Sequence, residues 1–201
     1  MTLKPKSLLL NLPTLVAASI VLSACVSFGA KAPPSLLVLT ATASVQGGAV
    51  KSGAPADALI VLLPEVPRKI DTNRVPVSID DSNVAYLKDA VWADKPARMM
   101  QLLLMETISA KTGRLVLNEV DAGGKAQQFL SGTLMEFGID SQAMEAVVVY
   151  DAVKLVRGQA IEKKRFEARE AVSAVEPGTA GAALNRAANS LASEMALWVN
   201  N

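Results

Sequence analysis

The sequence predicts an α/β domain of the α+β kind: an antiparallel sheet covered on one face by two helices, behind an N-terminal export segment. Three observations carry this. Short apolar or alternating runs recur between Gly, Pro and Asx turn signals. Two longer stretches, residues 96–111 and 179–199, space their apolar residues three and four apart. The first 25 residues pass from a basic pair to an apolar run that ends in the only cysteine.

Lys4 and Lys6 precede the apolar run 8–22, and the small residues Ser23 and Ala24 stand before Cys25. This is the basic-then-apolar order of an export signal. Asn11, Pro13, Thr14 and Ser19 interrupt the run, which falls short of the about 20 residues a membrane-spanning helix needs. A buried core helix fits poorly too, because the Pro-containing stretch 30–34 follows at once. The tetrapeptide Leu22-Ser23-Ala24-Cys25 resembles the lipobox of bacterial lipoproteins. That resemblance implies a signal peptide at 1–24, cleavage before Cys25, a thioether-linked diacylglycerol on its sulfur and an acyl chain on its new N-terminus. Three chains, each buried methylene contributing roughly 0.8 kcal/mol, would hold a protein on a membrane durably. Val26 rather than Asp follows the cysteine. In the sorting pattern this resembles, that implies the periplasmic face of the outer membrane. Residues 25–34 then read as a lipidated tether, and 35–201 as the folded domain.

Removing residues 1–24 leaves 177 residues with 18 Lys+Arg against 19 Asp+Glu, a net charge of −1. A balanced chain lacks the basic footprint that displaces counterions from nucleic acid, so no nucleic-acid partner is expected. The length suits one domain with a hydrophobic core. A single cysteine allows no internal disulfide. Histidine is absent, which removes the commonest general base and metal ligand. Without it no Ser-His-Asp triad can form, and no Gly-x-Ser-x-Gly elbow occurs. Gly123-Gly124-Lys125 is too short for a phosphate loop. The expectation is therefore no catalytic residue, no metal and no cofactor beyond the covalent lipid on Cys25.

Along the domain, residues 35–44 begin apolar and continue in alternation, predicting a first strand in the sheet. Residues 45–56 are rich in Gly, Ser and Ala and read as a loop. Residues 58–63 are a continuous apolar run bounded by Pro55 and Pro64, a second strand. The segment 65–73 reads as a turn. Residues 74–79 alternate, with Pro76 confining that strand to an edge or a bulge. Asp80-Asp81-Ser82-Asn83 is turn chemistry, and 84–87 returns as a short strand. The helix over 96–111 has Pro96 in its first turn, Asp94 as expected cap and Gly113 past its end. Its stripe is Met99, Met100, Leu103, Leu104, Thr107 and Ile108. Strands follow at 114–120, 129–139, 143–156 and 161–172, the last three as a meander. The closing helix, 179–199, carries the stripe Leu184, Ala187, Leu191, Met195 and Trp198.

Tyr86, Trp92, Ala93, Asp94 and Pro96 match a "Tyr … Trp-Ala-(Asp/Glu)-x-Pro" segment. Leu130, Gly132, Leu134 and Phe137 match "Leu-x-Gly-x-Leu-x-x-Phe", and Leu191, Ala192 and Met195 match the closing helix. In this order, and with the lipobox, the chain resembles the ABC-type transport auxiliary lipoproteins, including the PqiC-like members. The resemblance implies a non-enzymatic accessory of an intermembrane lipid-transport system. Its implied partners are an MCE-domain protein and ABC transporter components, with the membrane reached through the lipid. It also admits a homo-oligomeric ring. Leu36 and Val38 stand where many members carry "Tyr-x-Leu", so the contact of that aromatic does not transfer.

Tyr86 and Trp92 are the candidate partner-docking residues, since Tyr and Trp serve as interface anchors. The alternative is that Trp92 closes the core and Asp94 caps the helix. Met99, Met100, Met105 and Met144 admit an adaptable lipid-binding surface, though helical spacing favours core packing for the first two. Asp80 and Asp81 could hold a cation or simply form the turn. Glu162-Lys163-Lys164-Arg165 reads as a solvated strand face. A lipid-binding carrier and a structural assembly factor of an outer-membrane complex stand as alternatives to docking.

Overall fold

The computed structural model describes residues 35–121 and 124–200, so the export segment, Cys25 and the tether lie outside the described residues. Among the described residues nine elements follow one another: β1 (Leu59–Val61), β2 (Arg74–Ser78), β3 (Val84–Val91), α1 (Pro96–Thr112), β4 (Val116–Leu117), β5 (Gln128–Asp140), β6 (Glu145–Val156), β7 (Glu162–Ala171) and α2 (Pro177–Asn200). The seven strands form one sheet, and the α+β class is as the sequence indicates.

The long strand β5 is the spine. On one side it pairs antiparallel with β6, which pairs antiparallel with β7, giving the expected meander. On the other side its first three residues pair parallel with β1, and its last two pair parallel with β2. β1 also pairs parallel with β4, while β3 lies antiparallel on β2. The sheet is thus mixed rather than wholly antiparallel. The reason is visible in β1: Leu59, Ile60 and Val61 are buried without alternation, the pattern of a strand covered on both faces. Pro76 resolves to a bulge. The register of β2 on β3 shifts between Arg74 and Pro76, and β2 is an inner strand rather than an edge.

Two glycines let the spine be approached. At Gly132, φ is 153°, and a Cβ would stand 2.1 Å from the Asp151 carbonyl oxygen. At Gly138 it would meet the Pro76 carbonyl oxygen at 2.5 Å.

The helix boundaries follow local chemistry. α1 opens on Pro96, which has no N–H to leave orphaned, and ends where Gly113 takes a left-handed φ of 74° and donates to the Ser109 carbonyl. Asp94 is not its cap: the cap position is Lys95, and the Asp94 Oδ1 accepts only from the Lys95 N–H. The stripe predicted for α1 is buried in full. In α2 the buried face is wider than a stripe. Ala180, Gly181, Ala183, Ala188, Ala192 and Ala196 join Leu184, Ala187, Leu191 and Met195. Small residues are needed because three things press on this helix: the sheet, α1 and the chain before β1.

That last contact is the main departure from expectation. Residues 36–45 do not join the sheet as a strand. Apart from one bridge, Leu37 to Trp92, they run as a strap over the helix pair, extended over 36–41 and bending at Thr42 and Ala43. Leu37, Leu39 and Ala41 pack inward on the core, and Leu37 Cδ2 would be 2.7 Å from a Cβ on Gly181. Between helices and sheet the space is filled by Met100, Leu104, Ile108, Leu134, Phe137, Leu184 and Leu191, each removed from water and each contributing roughly 1.5–3 kcal/mol of transfer free energy.

Candidate docking surface

The strap is held by side chains instead of a neighbouring strand. Asn185 and Asn189 lie four residues apart on α2, hence on one face. Asn185 Oδ1 accepts from the Thr40 N–H at 2.9 Å. Asn189 Oδ1 accepts from the Thr42 N–H at 2.8 Å and from its hydroxyl at 3.0 Å, while its Nδ2 donates to the Thr40 carbonyl at 2.9 Å. One amide thus supplies both an acceptor and a donor, as a strand would. Farther along, Glu106 on α1 accepts from the Val45 N–H at 2.6 Å, and Lys51 donates to the carbonyl and hydroxyl of Ser109. The strap therefore ties α2 to α1. Sequence reasoning missed this, although two asparagines at i and i+4 in an alanine-rich apolar face were a signal that something polar lies there.

Between the strap and α1 runs an open groove of about 580 Å3. Val38, Leu39 and Ala41 form one wall, Met99, Leu102 and Leu103 the other, and Asp94 and Glu106 stand along it. Beside it, Leu36 is 53% exposed, Val38 56% and Leu102 47%. This apolar surface lies where the chain enters the fold.

The two residues singled out for docking are placed differently. Trp92 is 1% exposed and tilts against Phe137 with ring centroids 5.2 Å apart. It offers no surface, because its indole closes the core beneath the start of α1. Tyr86 is half-buried on β3, with the Arg74 guanidinium 4.4 Å above its ring and its hydroxyl donating to the Lys69 carbonyl at 3.3 Å. The structure does not bring Tyr86 and Trp92 together as one patch. Met99 and Met100 are core residues, Met99 also lining the groove, and Met105 and Met144 pack partly buried against the core.

Asp80 is committed to its turn. It accepts from the Ser82 and Asn83 N–H groups and from the Asn83 side chain, and that side-chain bond above all lowers its pKa. The outer face of β6 and β7 carries ion pairs: Arg165 grips Asp151 at 2.6 Å and 2.8 Å and holds its carboxyl below the usual range. Arg169 bridges Glu145 and Glu167. Burial raises the Tyr150 phenol well above its usual range, and its hydroxyl has no partner among the described residues. Among the described residues no three His, Cys, Asp or Glu converge to hold a metal, and no helix is long and apolar enough to cross a membrane.

A family model described as "ABC-type transport auxiliary lipoprotein component" matches residues 38–196. Among the curated proteins no sequence matches. Among solved structures, a Xanthomonas campestris protein of family DUF330 superposes with a TM-score of 0.68 at 18% identity, over 82% of this chain and 93% of that one. The crystal structure of an uncharacterized protein gives 0.64 at 16% identity, over 75% and 96%. A PelC dodecamer from Paraburkholderia phytofirmans gives 0.42 at 15% identity, over 75% and 92%. For the first two, at such identities, the likeness is one of fold.

Proposed function

The chain belongs to the family of ABC-type transport auxiliary lipoprotein components, and from that premise we propose that it is a non-enzymatic docking subunit of an MCE-type intermembrane lipid-transport system. It is anchored through a lipidated Cys25 on the periplasmic face of the outer membrane. Its partners there are an MCE-domain protein and components of the ABC transporter.

The observation that carries the reading is where the apolar surface lies. The space between sheet and helices is filled with side chains, whereas Leu36, Val38 and Leu102 are displayed outward beside the strap. A carrier holding lipid inside itself would need the reverse. Monomeric proteins keep large exposed apolar patches for interaction sites. The anchor supplies the remainder of the mechanism. Ten residues, 25–34, reach at most roughly 35 Å, so the domain stays close to the membrane and meets its partners at a raised effective concentration.

The test is recovery of partners with the membrane-extracted protein. An MCE-domain or transporter component should co-purify; recovery of neither sinks the transport reading. Cys25→Ser should release the protein from the outer-membrane fraction, and continued fractionation there would refute the anchor. Lipid co-purifying with a chain stripped of its anchor would favour the carrier instead.

A further inference from the structure

One wall of the groove is the strap itself, from Val38 to Ala41. Exposure alternates along residues 36–42, and successive N–H groups of an extended chain point to opposite edges. The N–H groups of Thr40 and Thr42 turn toward α2, where Asn185 and Asn189 take them. Leu37 turns the other way. Its N–H donates to the Val91 carbonyl at 2.8 Å, and its carbonyl accepts from the Ala93 N–H at 2.8 Å. At Asp94 the chain leaves to start α1, so this parallel pairing stops after the single bridge to Trp92. Leu39 and Ala41 carry the same edge onward over the groove, where their N–H and C=O groups take no hydrogen bond among the described residues. Opposite them stand Met99, Leu102 and Leu103. Neither Asp94 nor Glu106 has a Lys or Arg partner among the described residues, and no cation lines the groove.

We propose that this groove takes an extended segment of a partner polypeptide, apolar at alternate positions and flanked by Lys or Arg, added as a strand to the edge of Leu39 and Ala41. This rests on the docking reading above and names the chemistry of what docks. In strand addition the backbone bonds give affinity and alternate side chains give specificity. Met99 lets the apolar wall adapt to the side chains it receives, and the two carboxylates select cationic flanks. An acyl chain would leave the strand edge unpaired, and an anionic bilayer surface would be repelled by Asp94 and Glu106.

The probe is a fluorescein-labelled peptide, Lys-Thr-Val-Thr-Leu-Thr-Val-Thr-Lys, titrated with the full detergent-solubilised chain and followed by anisotropy. Binding is expected, and N-methylation of the alternate amides that face the strap should weaken it about tenfold, whereas methylation of the other set should not. Leu102→Glu, at a surface position, should weaken the peptide about tenfold. Glu106→Gln keeps an acceptor for the Val45 N–H and should weaken the lysine-flanked peptide about threefold while sparing an alanine-flanked one. Failure of the unmethylated peptide to bind, or equal binding of both methylated sets, overturns the proposal. Partner recovery separates the two readings. A complex that persists with Leu102→Glu overturns the groove and leaves the accessory role; a chain that binds the peptide but recovers no transporter component keeps the groove and loses the transport reading.

Discussion

The β5–β6 hairpin and the strap across the helices are both extended chain, held by opposite means. In the hairpin, residues from Gln128 to Asp140 are matched to Val156 through Glu145 by backbone pairing. In the strap, two asparagines and one glutamate on helices stand in for the missing neighbour. Backbone pairing is indifferent to most side chains and fails only where a residue cannot fit. Side-chain pairing concentrates the same task in a few positions. The hairpin should therefore break at its glycines, and the strap at its asparagines.

The largest effect is expected at Gly132. Alanine there would bring Cβ to 2.1 Å from the Asp151 carbonyl at a φ of 153°, so the strand must shift. Gly132→Ala should cost about 3–5 kcal/mol of unfolding free energy in a denaturant titration. A loss below 1 kcal/mol would mean that the spine yields more readily than its packing indicates. Asn189→Ala comes next. It removes the acceptor for Thr42 and the donor to Thr40 at a nearly buried position, with a cost of about 2–3 kcal/mol. Its signature is local: amide exchange and proteolysis should rise over residues 40–51 while β5 and β6 stay protected. Uniform loss of protection would show that strap and sheet are one cooperative unit.

The smallest effect lies inside the hairpin. Tyr150 is buried with its hydroxyl unpartnered, so Tyr150→Phe should be neutral or stabilising by about 1 kcal/mol. The pH dependence has a definite sign. Burial raises the phenol pKa in the folded state, so its contribution is complete below the unfolded value of about 10 and is lost as pH rises above it. Native protein should lose stability above that pH, and Tyr150→Phe should flatten the slope. An unchanged alkaline slope would assign it to another group.

Both helices and all three meander strands were legible in the sequence, as was the α1 stripe. Period and turn chemistry suffice where an element's own residues decide which face is buried. Residues 35–44 predict a sheet strand for the same reason: after the apolar start Leu36 to Leu39 they do alternate, Leu39, Ala41 and Ala43 with Thr40, Thr42 and Ser44. What the alternation could not say is which surface the inward side chains meet. The role of Trp92 was likewise open, since an aromatic beside a helix start serves a core or an interface equally well until its neighbour Phe137 is known. The groove was not legible at all, because its walls come from residues about 60 positions apart in the chain.

By itself, then, the sequence determined both helices and the meander strands, the stop at Gly113 and the absence of histidine chemistry. All of these follow from residues near one another in the chain. Only the tertiary structure decided that β1 and β2 run parallel to the spine, that the first extended segment lies on helices, and that an unpaired strand edge faces an apolar groove. Those outcomes turn on partners such as Thr40 and Asn185, 145 residues apart. Which of several compatible surfaces an amphipathic segment covers is settled by the packing of the whole core and is not encoded in the segment.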